Sequence, residues 1–146
     1  MTEPFSRDSS LGYQVNHLAR LLALALRDRI EPFGVAPGQF AQLLTLYEAD
    51  GLTQAELCTK VQIEQPTMAN TLARMERDGL IERVPDPGDR RRSLVMLTSK
   101  ARAIESELIA AARATNAVAT EGLDDDTVAV VMSALGTMIT NLERAR

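Results

Sequence analysis

Three arginines stand side by side, Arg90-Arg91-Arg92, directly after Pro87-Gly88-Asp89. Guanidinium groups bind phosphate oxygens and the acceptor edge of guanine. A run of charge is most often only a solvated face. Here a Pro-Gly turn signal puts it at the tip of a loop, where it would be presented to a partner. A second set lies upstream: Gln65, Thr67, Asn70, Thr71 and Arg74. These side chains donate and accept hydrogen bonds. Asn and Gln match adenine bidentately, and Arg matches guanine or phosphate. The alternative is that some of them are plain solvated helix residues. Together the two sets suggest a protein that reads double-stranded DNA.

Catalysis is poorly served by the same chain. There is one His and one Cys. No Gly-rich phosphate loop is present, and the paired carboxylates sit at cap and surface positions. A nucleophile with its base is hard to assemble, and so is a His/Cys metal set. No enzyme activity, cofactor or metal is expected. With a single cysteine no intrachain disulfide can form, and a reducing, cytoplasmic setting is expected. The segment MTEPFSRDSS lacks the basic and apolar regions of a signal peptide. The longest apolar run, Leu21–Leu26, is too short to span a bilayer. No membrane association is expected.

The net charge is −4, which alone would argue against a polyanion as partner. The distribution argues otherwise. Nine basic and six acidic residues fall between Lys60 and Arg102, a local surplus of three, so the rest of the chain carries −7. The field at the docking face matters more than the total.

The elements that must position these residues can be read from periodicity and caps. Apolar residues make up 45% of the 146 positions and aromatics 3%, so Ala, Leu and Met must fill the core. That favours closely packed helices. Residues 1–9 read as a flexible arm. Leu11, Val15, Leu18, Leu22, Leu26 and Ile30 recur at helical steps, ended by Pro32 and Gly34. A second helix runs from Pro37 to about Glu48. Thr53 and Glu56 form a capping box that starts a short helix to about Val61. Another helix spans about Gln65–Arg77, closed by Asp78-Gly79. Leu80–Asp86 and Arg92–Leu97 read as two strands joined through Pro87–Arg90, a β-hairpin. Thr98 then caps one long helix from Ser99 to about Thr120. Gly122 breaks it, and Asp124–Asp126 opens a last helix with Val128, Val131, Met132, Leu135, Met138, Ile139 and Leu142 at core spacing. The fold class is mainly α with a small β-hairpin (α+β): a winged helix-turn-helix with a helical dimerisation region.

The run Leu72–Arg83, then Pro85–Arg92, then Val95–Thr98 resembles the MarR family of bacterial transcription regulators. Its pattern is roughly L-x-R-L-E-x-x-G-L-I-x-R, D-x-R-D-R-R, V-x-L-T-x-x-G. All the elements occur in register, and helix order matches from about Leu11 to Arg146. The chain departs from the pattern at Ala101, where Gly is usual, and at Asn70, where many members carry Arg. The first implies a slightly more regular helix start; the second bears on the operator sequence. The resemblance implies a homodimer, with residues 10–34 and 99–146 as dimerisation helices and 37–98 as the DNA-binding lobe of one domain over 10–146. It implies a ligand-responsive repressor on a near-palindromic operator, with Arg91 reaching into the minor groove and Asp89 holding it or the hairpin. Arg90 and Arg92 would add phosphate contacts. It also places an effector pocket near the first helix, where Tyr13, His17 and Arg20 share a face. These three would suit an anionic or aromatic small molecule, or they belong to a dimer interface or open surface. Some relatives sense peroxide through cysteine, which makes Cys58 a redox alternative, but its apolar neighbours suggest a small buried side chain. A protein-interaction module on the same fold is the remaining alternative, and the arginine-rich loop speaks against it.

Overall fold

The computed structural model describes residues 3–146. Met1 and Thr2, the first residues of the expected arm, lie outside the described residues. Within 3–9, Ser6 and Ser9 bond each other's backbone and hydroxyl groups around a turn.

Ser10 caps α1 (Leu11–Ile30) by accepting from the Tyr13 N–H. A 3-10 turn over Glu31–Phe33 follows, then α2 (Pro37–Glu48). The capping box forms as its spacing demands. Thr53 accepts from the Glu56 N–H at 3.1 Å, and Glu56 Oε1 accepts from the Thr53 N–H at 3.2 Å. It opens α3 (Gln54–Val61). Gln62 then takes a left-handed conformation, φ 63°, and its amide donates to the Thr59 carbonyl at 2.8 Å. This turn sets the angle between α3 and α4 (Gln65–Arg77). At the end of α4, Gly79 has φ 76°. That conformation lets the Leu80 N–H reach back to the Met75 carbonyl at 2.9 Å, which is cheap only without a Cβ.

β1 (Ile81–Asp86) and β2 (Asp89–Leu97) form an antiparallel hairpin. The second strand begins earlier than the sequence suggests. Asp89, Arg90 and Arg91 belong to β2, and the turn is only Pro87-Gly88. Asp86 accounts for this: its carboxylate accepts from the Gly88 N–H at 2.8 Å and tightens the reversal, with a register shift between Pro85 and Asp86. Leu52 adds a further rung, its carbonyl accepting from the Val95 N–H at 2.7 Å.

The single long helix expected from Ser99 to Thr120 is two. α5 (Ser99–Ala103) and α6 (Glu105–Ala119) meet at Ile104, whose φ and ψ are −102° and 6°. In an unbroken helix the Ala101 carbonyl would accept from residue 105. Here the Tyr47 hydroxyl donates to it at 2.5 Å. Ala101 lies within α5 and is fully buried. The last helix is α7 (Asp125–Arg144), capped by Asp124, whose side chain accepts from the Thr127 N–H at 2.7 Å.

Leu43 and Leu46 of α2, Leu57 of α3, Met68, Leu72 and Met75 of α4, Leu80 and Val95 are all fully buried. This core therefore sits between α2, α3, α4 and the hairpin. Truncating one such Leu or Met costs about 2–5 kcal/mol, so the orientation of α4 is firmly held. α1 packs along α6. By contrast, no residue of α7 is buried, and of the twenty residues of α1 only Ile30 is. Among the described residues no helix is long and apolar enough to cross a membrane.

The Tyr47 phenol is pushed up to about 12, first by burial and then by the Glu105 carboxylate. Folding therefore favours the neutral phenol. Its contribution is fully present below the ordinary value of 10, and is lost as pH rises from there through about 12. Tyr47→Phe should flatten the stability loss across that window, while lowering stability by about 1 kcal/mol at neutral pH through the missing hydrogen bond. Denaturant melts of both chains on either side of the window check this.

Candidate nucleic-acid interface

The α4 helix is divided by its own periodicity. Met68, Leu72 and Met75 point into the core. Thr67, Asn70, Thr71 and Arg74, at three- and four-residue steps, line the opposite side. Thr67, Asn70 and Arg74 are exposed and Thr71 is half-buried. Gln65 is the first residue of α4 and is exposed, with Pro66 filling a position where no backbone donor is needed. Positive helix-end character and free N–H groups therefore lie beside the polar side chains.

The hairpin carries the arginines. Arg90, Arg91 and Arg92 are all exposed, with the Arg91 side chain 92% accessible. Asp89 accepts from the Arg91 backbone N–H at 3.0 Å and from its Nε at 3.3 Å. Arg92 is engaged differently: its Nε donates to Asp86 Oδ2 at 2.7 Å. The Gly88 N–H, and after it the Arg92 guanidinium, hold the Asp86 carboxyl below the usual carboxylate range. Arg92 thus braces the base of the turn, while Arg90 and Arg91 stay exposed beside it. Asp50 fixes the other end of the hairpin by accepting from the Leu97 N–H at 2.9 Å and from Arg102 Nη2 at 2.5 Å.

The structure brings Gln54 and Arg83 to Gln65, which sequence reasoning did not single out. Gln54 Nε2 donates to Gln65 Oε1 at 3.0 Å, and Arg83 Nη2 donates to Gln54 Oε1 at 3.3 Å. A signal existed: the capping box and Pro66 each put a glutamine at the first position of adjacent helices.

Tyr13, His17 and Arg20 are exposed on α1. The Tyr13 and His17 rings stack with centroids 6.3 Å apart, and the Arg7 guanidinium lies 5.9 Å from the Tyr13 centroid. A separate cleft of about 380 Å³ opens between α1, α2 and α6. Leu22, Leu26, Phe40, Leu44, Ala112 and Thr115 line it, no charged side chain does, and Tyr13, His17 and Arg20 are not part of it. Thr115 is buried, its hydroxyl donating to the Ala111 carbonyl of its own helix. Cys58 is half-buried and packs against the core. Among the described residues no group of three or more His, Cys, Asp or Glu is placed to hold a metal ion.

Residues 33–92 match the model of the MarR family. An HTH-type transcriptional regulator of Bacillus subtilis (strain 168), YwoH, is 35% identical over 91 residues, covering 62% of this chain and 66% of its own length. The transcriptional repressor CouR, solved bound to a 23-mer DNA duplex, superposes with a TM-score of 0.82 at 27% identity, covering 94% of this chain and 99% of that one. The PcaV transcriptional regulator from Streptomyces coelicolor, solved with its natural ligand, superposes with a TM-score of 0.83 at 25% identity, covering 95% and 98%.

Proposed function

The chain belongs to the MarR family of winged helix-turn-helix transcription regulators, and from that premise we propose that it is a ligand-responsive repressor that binds a near-palindromic operator as a homodimer. The observation that carries the reading is the placement of two free surfaces. The polar side of α4 and the Arg90–Arg91 tip are exposed from the same lobe. Apolar residues of α1 and α7, among them Leu11, Leu18, Val131, Met132, Ile139 and Leu142, are exposed by 45–70%. A lone chain has no use for such a surface, and a second copy would cover it.

In this reading α4 enters the major groove. Gln65, Thr67, Asn70, Thr71 and Arg74 meet base edges and phosphates there. Arg91, held by Asp89, enters the minor groove, and Arg90 contacts phosphate. Residues 10–34 and 99–146 form the dimer region, and 37–98 the lobe that docks. The protein works in the cytoplasm, where the operator is. The superposable repressor bound to DNA supports the partner, and the superposable regulator with its ligand supports an effector. The cleft between α1, α2 and α6 suits an effector with a substantial apolar part, because dimer region and DNA-binding lobe both line it. A ligand there would shift the relative placement of the two lobes.

Selection of bound duplexes from a randomised library tests the reading. Enriched sequences should carry two inverted half-sites one helical turn apart. An unenriched pool overturns it. The packing of Cys58 supports a structural role. Cys58→Ser should therefore bind the selected duplex within about threefold of wild type, and peroxide should leave both proteins on DNA. Release of wild type alone by peroxide in a band-shift assay would favour the redox alternative.

A further inference from the structure

Gln65, at the start of α4, is not a freely rotating amide. Its Oε1 accepts from Gln54 Nε2 at 3.0 Å, and Gln54 Oε1 accepts from Arg83 Nη2 at 3.3 Å. Arg83 is half-buried on β1 and also faces Glu76, with Nε and Oε1 3.7 Å apart. The polarity of this relay follows from chemistry and not from how either amide is drawn. A guanidinium only donates, so the end of Gln54 that meets Arg83 must be its oxygen. Its other end is then the NH2 group, which requires an oxygen on Gln65. Both Nε2 protons of Gln65 are left unengaged, and one of the two acceptor positions on its Oε1 is taken.

The geometry points to Gln54 and Arg83 as positioning residues that lock the Gln65 amide, so that it offers its donor end to the base it faces. Gln65 then selects an acceptor-bearing major-groove edge, guanine O6 and N7 or thymine O4, against the amino group of cytosine. The inference rests on the reading that α4 enters the major groove. An unlocked glutamine would turn over and accept either edge. The lock converts a promiscuous contact into a discriminating one, because the wrong base leaves polar groups unpaired. Both glutamines begin their helices, so the α3–α4 turn through Gln62 sets their separation.

Gln54→Glu separates this account from general weakening. The introduced carboxylate can hold Arg83 but cannot donate to Gln65, so the Gln65 amide must turn its NH2 toward it and its oxygen outward. Negative charge in the first turn of α3 suits the helix. Wild type, Gln54→Ala and Gln54→Glu would each select duplexes from the same randomised library, and the enriched sequences would be titrated. Wild type should disfavour cytosine at one position of each half-site by about tenfold. Gln54→Ala should lose most of that preference at that position alone. Gln54→Glu should move it toward an amino-bearing base, cytosine or adenine. Relative preferences are compared, since the added charge weakens all duplexes alike. The same base preference in all three proteins, or a loss spread evenly over every position, overturns the lock and leaves DNA recognition standing. No enrichment by wild type overturns DNA recognition and the lock with it.

Discussion

Replacing Arg90, Arg91 and Arg92 together with alanine is expected to weaken operator binding by about a hundredfold or more, with dimer mass and melting temperature little changed. In the proposed symmetric dimer each arginine would occur twice. Arg90 and Arg91 are exposed, and Asp89 accepts from Arg91 Nε at 3.3 Å. Each cation withdrawn from a phosphate lowers the slope of log affinity against log salt by about 0.9, so removing these two in both protomers should flatten it by about 3 to 4. Arg92 should contribute less to the slope, because it is committed to Asp86 at 2.7 Å. The exposed Arg91–Asp89 pair adds little to folding, and Asp86 keeps its bond from the Gly88 N–H when Arg92 is removed, so the effect falls mainly on binding. Anisotropy titrations of both proteins at several salt concentrations read affinity and slope together. An unchanged slope would mean that the hairpin does not touch DNA.

Ile139→Glu combined with Leu142→Glu should turn the protein into a monomer that holds the operator about a hundredfold or more weaker. Ile139 and Leu142 are 56% and 70% exposed in the single chain. Replacing them removes nothing from the core between α2, α3, α4 and the hairpin. Burying such a side chain against a partner stabilises by about 1.5–3 kcal/mol, and a buried unpaired carboxylate is strongly unfavourable. Once the copies separate, each lobe binds its half-site without the high effective concentration that linkage provides, an advantage of about 10²–10⁴. Sedimentation should report half the wild-type mass. A variant that stays dimeric, or a monomer that keeps full affinity, would refute the role given to α7.

What was legible in the chain was local. Thr53 and Glu56 fixed where α3 begins, since both bonds of the box lie within one turn. Gly79 fixed where α4 ends, because a left-handed residue was needed there. The buried side of α4 followed from the spacing of Met68, Leu72 and Met75. What was not legible depended on neighbours distant in sequence. The break at Ile104 coincides with the Tyr47 hydroxyl taking the Ala101 carbonyl, a bond across 54 residues that no local pattern encodes. The early start of β2 depended on the Asp86 carboxylate folding over Gly88. For the interface, the residue types were visible but not their couplings. Arg92 read as a phosphate contact, and its pairing with Asp86 was not visible. Gln65 read as a base or phosphate contact, and its bond from Gln54 was not visible. The anionic or aromatic effector expected at Tyr13, His17 and Arg20 rested on the resemblance and on their shared helix face, whereas the cleft between α1, α2 and α6 takes residues from three helices, and only packing brings those together.

The central claim is that α4 and the hairpin are used twice, on one DNA, by two copies of the chain. Titrating the wild-type protein into its selected duplex tests it most directly, with stoichiometry, salt slope and a scrambled duplex measured side by side. Two chains should bind per duplex, with affinity falling steeply as salt rises and well above that for the scrambled sequence. Equal affinity for both duplexes, or saturation at one chain per operator, would contradict it.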